Sequence, residues 1–346
     1  MCSARSWSES WLFGAIVSAT DPVAVVSLLK ELGASPRLGT LIEGESLLND
    51  GTAFVLFMIA LEFVKGEELG LVEIAESFAE LALLGAVLGV VFGLAVALWL
   101  NYVHSDMQIE ITITILACYS VFHVAEVECG SSGVLACVFL GVVLSRFKLT
   151  ISPEVEHSLH CVWQVLGYIA TTLIFLYGGI VMAESGVLWE DTGWLLLIYL
   201  WIHVTRAVAL AALWWPLQRL GYGLPFKNAV VSWFGALRGV IGLAMAMITE
   251  LTPLPGHGRD HHAEHFKAEV MFYTAGIVML TLCVNAVLME HLVKWLGLID
   301  PTPEALAIVR DAMDHLRMDP CSRQSLPWQR SRCKSSRISD SLFATD

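Results

Sequence analysis

Apolar stretches of bilayer-spanning length recur along most of this chain, and nothing else in the sequence constrains its fold as much. A helix needs about 17–25 residues to cross about 30 Å of hydrocarbon. Segments of that order lie near 11–29, 47–64, 78–100, 109–125, 131–147, 161–183, 193–215, 228–250 and 270–297. A lipid-embedded backbone must satisfy its own hydrogen bonds, so the pattern predicts an all-α, polytopic membrane protein with about nine transmembrane helices. The chain is 56% hydrophobic and only 15% charged, with mean hydropathy +0.67, which excludes an ordinary soluble domain. A formal charge of −13 argues against nucleic-acid binding. Cysteines lie scattered, some inside apolar segments (Cys118, Cys137, Cys283), and no CxxC pair occurs, so they read as small hydrophobes. The first ten residues lack the apolar core of a cleavable signal peptide.

After Leu298 the composition changes. Residues 1–298 form the expected transmembrane domain; 299–346 form a short tail, with a capped amphipathic helix to about 318 and a disordered, Ser- and Arg-rich remainder. Loop charges set the orientation. Lys30, Arg37, Arg146, Lys148, Arg219, Lys227 and Lys294 fall on one side, against Lys65, Arg259 and Lys267 on the other, which is also acidic. The positive-inside rule then puts the tail in the cytoplasm and the N-terminus outside. An outside N-terminus without a signal peptide suggests that further spans precede this sequence. A multi-pass location follows, with the plasma membrane first and an endomembrane as the alternative.

Against this background a few charges stand out. Asp21 follows Thr20 in the first span, and Asp50 follows Asn49 near the start of the second. A charge at mid-membrane costs about 2.5–3.5 kcal/mol on insertion scales and by default marks an ion or proton pathway. Pro22 breaks the first span beside Asp21, and Gly235-Ala236-Leu237-Arg238-Gly239 sets an arginine between glycines in the eighth. Two interrupted helices offer half-helix dipoles and free backbone groups at the midplane, the signature of a transporter site. On a helix Ser46 and Asp50 share one stripe, and Glu45 and Asn49 the next. The first pair offers hard oxygen ligands for an alkali cation; the second suits a buried arginine such as Arg238. A carboxylate in a dry cavity holds either a proton or a metal cation, and alternating exposure of such a site is antiport.

The run from Trp11 to Val26 (WLFGAIVSATDPVAVV), followed by Glu43 to Ala53 (EGESLLNDGTA), resembles the Na+/H+ exchangers of the monovalent cation/proton antiporter superfamily. The likeness is to the plant salt-overly-sensitive and prokaryotic sodium/proton types, and Phe234 to Val240 (FGALRGV) resembles that family's arginine-bearing late helix. The resemblance, over about residues 10–298, implies a thirteen-helix inverted-repeat antiporter fold with discontinuous helices, of which this chain holds the C-terminal part. It implies Na+, or Li+ or K+, exchanged for H+ without net charge movement, with Asp50 as the shared site and Asn49 marking the electroneutral branch. By the same resemblance Asp21, Ser46 and the Thr20 carbonyl surround the ion. Glu45 and Arg238 form a structural ion pair that braces two helices with Asn49, and Arg206 is a further intramembrane arginine. It implies a homodimer in the bilayer when the fold is complete, a transporter rather than an enzyme, and no cofactor.

Other readings compete. A non-transporting, truncated subunit that associates with a full-length exchanger is the alternative. Gly130-Ser131-Ser132-Gly133 with His203 as base fits an intramembrane serine protease, and Asp21 with Asp50 an aspartyl protease. The first leaves Asp21, Asp50 and Arg238 unexplained; the second lacks that family's glycine-flanked aspartate, and its Asp21 precedes a proline ill suited to a rigid dyad. His261 and His265 sit at i,i+4 spacing in a His-rich loop and are weak zinc candidates. His123 and His203 lie within spans and read as satisfied core histidines.

Overall fold

The computed structural model describes residues 6–66, 70–103, 106–147, 152–184, 192–219, 223–253 and 261–298. The tail expected from 299 onward lies outside the described residues. The chain runs α1 (Trp7–Ser18), α2 (Val23–Glu31), α3 (Pro36–Val64), α4 (Leu71–Leu100), α5 (Met107–His123), α6 (Gly133–Arg146), α7 (Pro153–Glu184), α8 (Thr192–Ala212), α9 (Trp214–Arg219), α10 (Phe226–Phe234), α11 (Val240–Leu251), α12 (His261–Leu280) and α13 (Val287–Trp295). Turns of π-helix, Val124–Glu128 and Thr281–Ala286, extend α5 and join α12 to α13. Among the described residues no strand forms; the one extended pairing is an isolated antiparallel bridge between Asp21 and Leu237.

Among the described residues six helical segments are long and apolar enough to cross a bilayer: Pro36–Val64, Val72–Leu100, Met107–Glu128, Glu154–Ala183, Thr192–Ala212 and Ala263–Trp295. Shorter apolar helices are Gly133–Arg146 and Val240–Leu251. The chain is thus an integral, multi-pass membrane protein. Two of the expected spans lack a continuous helix because they unwind, at 19–22 and at 235–239.

Helix starts follow local chemistry. Ser6 and Glu9 form a capping box on α1, Asp106 accepts from the first amides of α5 and Ser132 caps α6 through Leu135 N–H at 3.2 Å. The start of α7 is pinned from another helix. Fully buried Glu110 of α5 accepts from Ser152 N–H at 3.1 Å and from its hydroxyl at 2.6 Å.

Packing also follows small residues. Gly85, Gly89 and Gly93 repeat at four-residue spacing on α4 and lie against α6, the close approach that small-xxx-small ridges permit in membranes. A Cβ at Gly89 would collide with the Ala136 carbonyl and Phe139. Gly89→Val is expected to destabilise by about 1–3 kcal/mol through overpacking, seen as a lower thermal midpoint in detergent. Gly141→Ala on α6, with open space around it, is the matched control; equal midpoints for both variants would show that the α4–α6 contact is loose. The main core packs Leu12, Ala15 and Ile16 of α1 against Phe54, Phe57 and Ala60 of α3, with Leu243 and Met245 of α11 and Val270 and Met271 of α12. This places both broken segments beside the middle of α3.

Candidate functional site

The first break is dictated by Pro22. In a continuous helix its N–H would have bonded the Ser18 carbonyl four residues back; proline has none. The next amide, Val23 N–H, turns instead to the Asp21 carboxylate, Oδ1 at 3.0 Å. Ser18 and Ala19 carbonyls are therefore released at the C-terminal, negative end of α1. The second break starts after Phe234 and ends at Gly239, whose missing side chain leaves room for Asp21; a Cβ there would overlap the aspartate side chain. The two unwound segments cross, and Asp21 N–H donates to the Leu237 carbonyl at 2.8 Å.

Arg238 answers the released carbonyls. Its Nη1 donates to Ser18 O at 3.1 Å and Ala19 O at 3.0 Å, and the residue is only 8% exposed. A cation at the C-terminus of a half-helix is electrostatically favoured. The expected ion pair with Glu45 is thus not the one formed. Glu45 is held by Arg206 of α8, whose Nη2 donates to Oε1 at 2.6 Å, and by the Ser232 hydroxyl at 2.8 Å. The physical reason is that unwinding the first span creates acceptors that outcompete a carboxylate for Arg238, while α8 delivers a second guanidinium to the Glu45 face. Arg206 also donates to the Ser232 carbonyl at 3.0 Å near the end of α10, so both arginines serve half-helix C-termini.

Asp50 lies on α3 opposite the first break and accepts from Thr20 N–H at 3.1 Å. A cavity of about 210 Å³ opens beside it, lined by Asp50, Thr20, Asp21, Gly239 and, from α7, Thr171. Ser46 and Asn49, expected near the ion, are both bonded to Thr20. The Ser46 hydroxyl donates to the Thr20 carbonyl and accepts from Thr20 Oγ1 at 3.1 Å, and Asn49 Nδ2 donates to the same Oγ1 at 3.4 Å. Asp50 and Glu45 thus work on different sides of α3: the first lines the cavity, the second is tied to α8 and α10. The cavity offers two carboxylates and neutral oxygens, a donor set for a hard cation rather than for a thiolate-seeking metal.

Sequence reasoning missed the brace behind the second break. Thr281 Oγ1 accepts from Arg238 N–H at 3.1 Å, and Asn285 Nδ2 donates to the Phe234 carbonyl at 3.1 Å. Both are buried and both lie in the second π-helical turn, a device that often marks functional sites. Their signal was present: two polar residues four apart in the apolar stretch from Gly276 to Met289. Asn285 is also bonded to Tyr199 and lies 3.3 Å from His203 Nε2. His203 is therefore a packed residue, stacked on Phe234 and edge-on to Tyr199 and Trp233.

The serine-protease reading finds no geometry here. Ser132 is a helix cap and Ser131 donates to the Ala125 carbonyl at 3.1 Å. His265 lies 3.6 Å from Glu269, and among the described residues no cluster of three His, Cys, Asp or Glu side chains is suited to a metal. The side chain of His261 lies outside what is described.

The family model described as "sodium/hydrogen exchanger, transmembrane" matches residues 1–295. Sodium/hydrogen exchanger 7 of Arabidopsis thaliana is 38% identical over 307 residues, covering 86% of this chain and 26% of that protein. Sodium/hydrogen exchanger 8 of the same plant is 36% identical over 287 residues, covering 81% of this chain and 37% of that protein. The Na(+)/H(+) antiporter NhaH of Halobacillus dabanensis is 31% identical over 298 residues, covering 84% and 69% respectively. The chain spans well under half the length of the two plant relatives.

Proposed function

This chain belongs to the sodium/hydrogen exchanger family, and from that premise we propose that it exchanges Na+, with Li+ or K+ as further candidates, for H+ at Asp50. The observation that carries the proposal is the cavity where the two unwound segments cross, walled by Asp21 and Asp50 and by bare backbone. Asp50 is the group on α3 that faces it, and nothing cationic neutralises it there by direct contact among the described residues. Its carboxylate alternates between coordinating a metal ion and holding a proton. Access to the cavity changes sides in the meantime, with the two broken helices as the moving or yielding part.

Formal charge around the cavity supports electroneutral exchange. Asp21, Glu45 and Asp50 are balanced by Arg206 and Arg238 to within one negative charge. One monovalent cation or one proton completes the balance, so both loaded states carry the same net charge. Moving a net charge would feel about 2.3 kcal/mol per 100 mV; this cycle feels almost none. Initial rates of Na+-driven proton flux in proteoliposomes are expected to be equal with and without an imposed potential. A rate that follows the voltage would show that more than one charge-balancing ion moves. In this reading the broken pairs α1–α2 and α10–α11 and the short α6 also cross the bilayer, the loops richer in Lys and Arg face the cytoplasm, and the chain supplies the C-terminal part of a two-repeat fold that dimerises.

A further inference from the structure

One wall of the cavity comes from a helix that neither the sequence motifs nor the charge cluster involve. Helix α7 is peripheral, with only 6% of its apolar window buried. Yet it places Thr171, which is partly buried, on the cavity that Asp50, Asp21 and Thr20 line. Thr171 is followed by a second threonine that serves as an internal comparison. The Thr172 hydroxyl donates to the Tyr168 carbonyl at 2.8 Å, the ordinary way for a helical threonine to satisfy itself in an apolar setting. Thr171 forms no such bond among the described residues. The other hydroxyls at the crossing are committed, since Thr20 and Ser46 bond each other.

We propose that Thr171 is a cation ligand: its hydroxyl oxygen completes the coordination of the metal ion held by Asp50, and so sets metal-ion affinity without serving the proton. The inference rests on the exchange reading given above and deepens it. A hydroxyl carries two lone pairs beside its one donor hydrogen. A hard alkali cation collects several oxygen ligands, and two carboxylates alone leave its coordination unfilled. A proton needs one oxygen and nothing more. Removing the Thr171 oxygen therefore weakens one of the two competing occupants and leaves the other alone. A residue that merely packed α7 against the cavity would affect both.

The test measures Na+ uptake by proteoliposomes carrying the wild-type chain, Thr171→Val, which keeps the shape and removes the oxygen, and Thr171→Ser, which keeps the oxygen. The expected result is a half-saturating Na+ concentration about tenfold higher for Thr171→Val, which corresponds to about 1.4 kcal/mol. Its maximal rate should stay near wild type, and Thr171→Ser should stay near wild type in both. Unchanged half-saturation in Thr171→Val overturns the proposal, as does a serine variant as impaired as the valine one. If Thr171→Val does not fold, Thr171→Cys decides. Na+, but not choline, is expected to slow its labelling by a methanethiosulfonate reagent, measured against the wild-type background; absence of Na+ protection overturns the assignment. Loss of exchange in the wild-type chain itself faults the exchange reading, and the labelling result then still decides whether Na+ sits at this position.

Discussion

Asp50→Asn is expected to reduce cation/proton exchange to the background of protein-free liposomes while leaving the protein folded. Asparagine keeps the volume, and its carbonyl still accepts from Thr20 N–H, the bond that carboxylate Oδ1 now makes at 3.1 Å. The crossing of α1–α2 with α10–α11 should therefore survive, with thermal stability within about 1 kcal/mol of wild type. What disappears is the negative charge that attracts a cation and the group that takes up and releases a proton. Exchange in proteoliposomes, with thermal unfolding as the folding control, checks both halves. Retained exchange would move the shared site to Asp21, which lines the same cavity.

Breaking the Glu45–Arg206 pair is expected to give the largest loss of stability. Arg206→Ala leaves Glu45, whose side chain is 31% exposed, without its guanidinium partner at 2.6 Å. Removing one member of a fully buried pair costs about 3–5 kcal/mol because the remaining charge is stranded, and this partly buried pair should fall at or below the low end of that range. Glu45→Gln combined with Arg206→Gln should cost less than Arg206→Ala alone, since no charge is then left behind. Arg238→Ala should be milder. It strands no acid and leaves the Ser18 and Ala19 carbonyls unpaired, about 1–3 kcal/mol. Chemical unfolding in micelles orders the three variants; an Arg238→Ala loss larger than that of Arg206→Ala would return Glu45 to Arg238.

Much of this site was legible in the sequence, because breaks in membrane helices have local causes. Pro22 lacks a donor wherever the chain goes, and glycines at 235 and 239 flank an arginine in any fold. The partition of α3 into an Asp50 side and a Glu45 side was legible too, since helical periodicity separates neighbours in sequence. Pairings across helices were not. Periodicity says that Glu45 wants a cation, but two intramembrane arginines satisfy that demand equally on paper. Ser46 and Asn49 have the chemistry of ligands, and only the position of Thr20 shows that both bond it. Thr171 carries no motif, Thr281 and Asn285 only a four-residue polar spacing, and their importance lies in what stands opposite them.

The division has a physical origin. Apolar lengths, helix breakers and the cost of charge in lipid act on each segment separately, so the sequence alone determined a helical membrane protein, its two interrupted segments and the acidic residues set beside them. Which arginine meets which acceptor, and which hydroxyls remain free to meet an ion, depends on helices far apart in the chain approaching within hydrogen-bond distance. Only the tertiary structure decided that: it gave Glu45 to Arg206, set Arg238 on the carbonyls released by Pro22, and left Asp50 facing an open cavity.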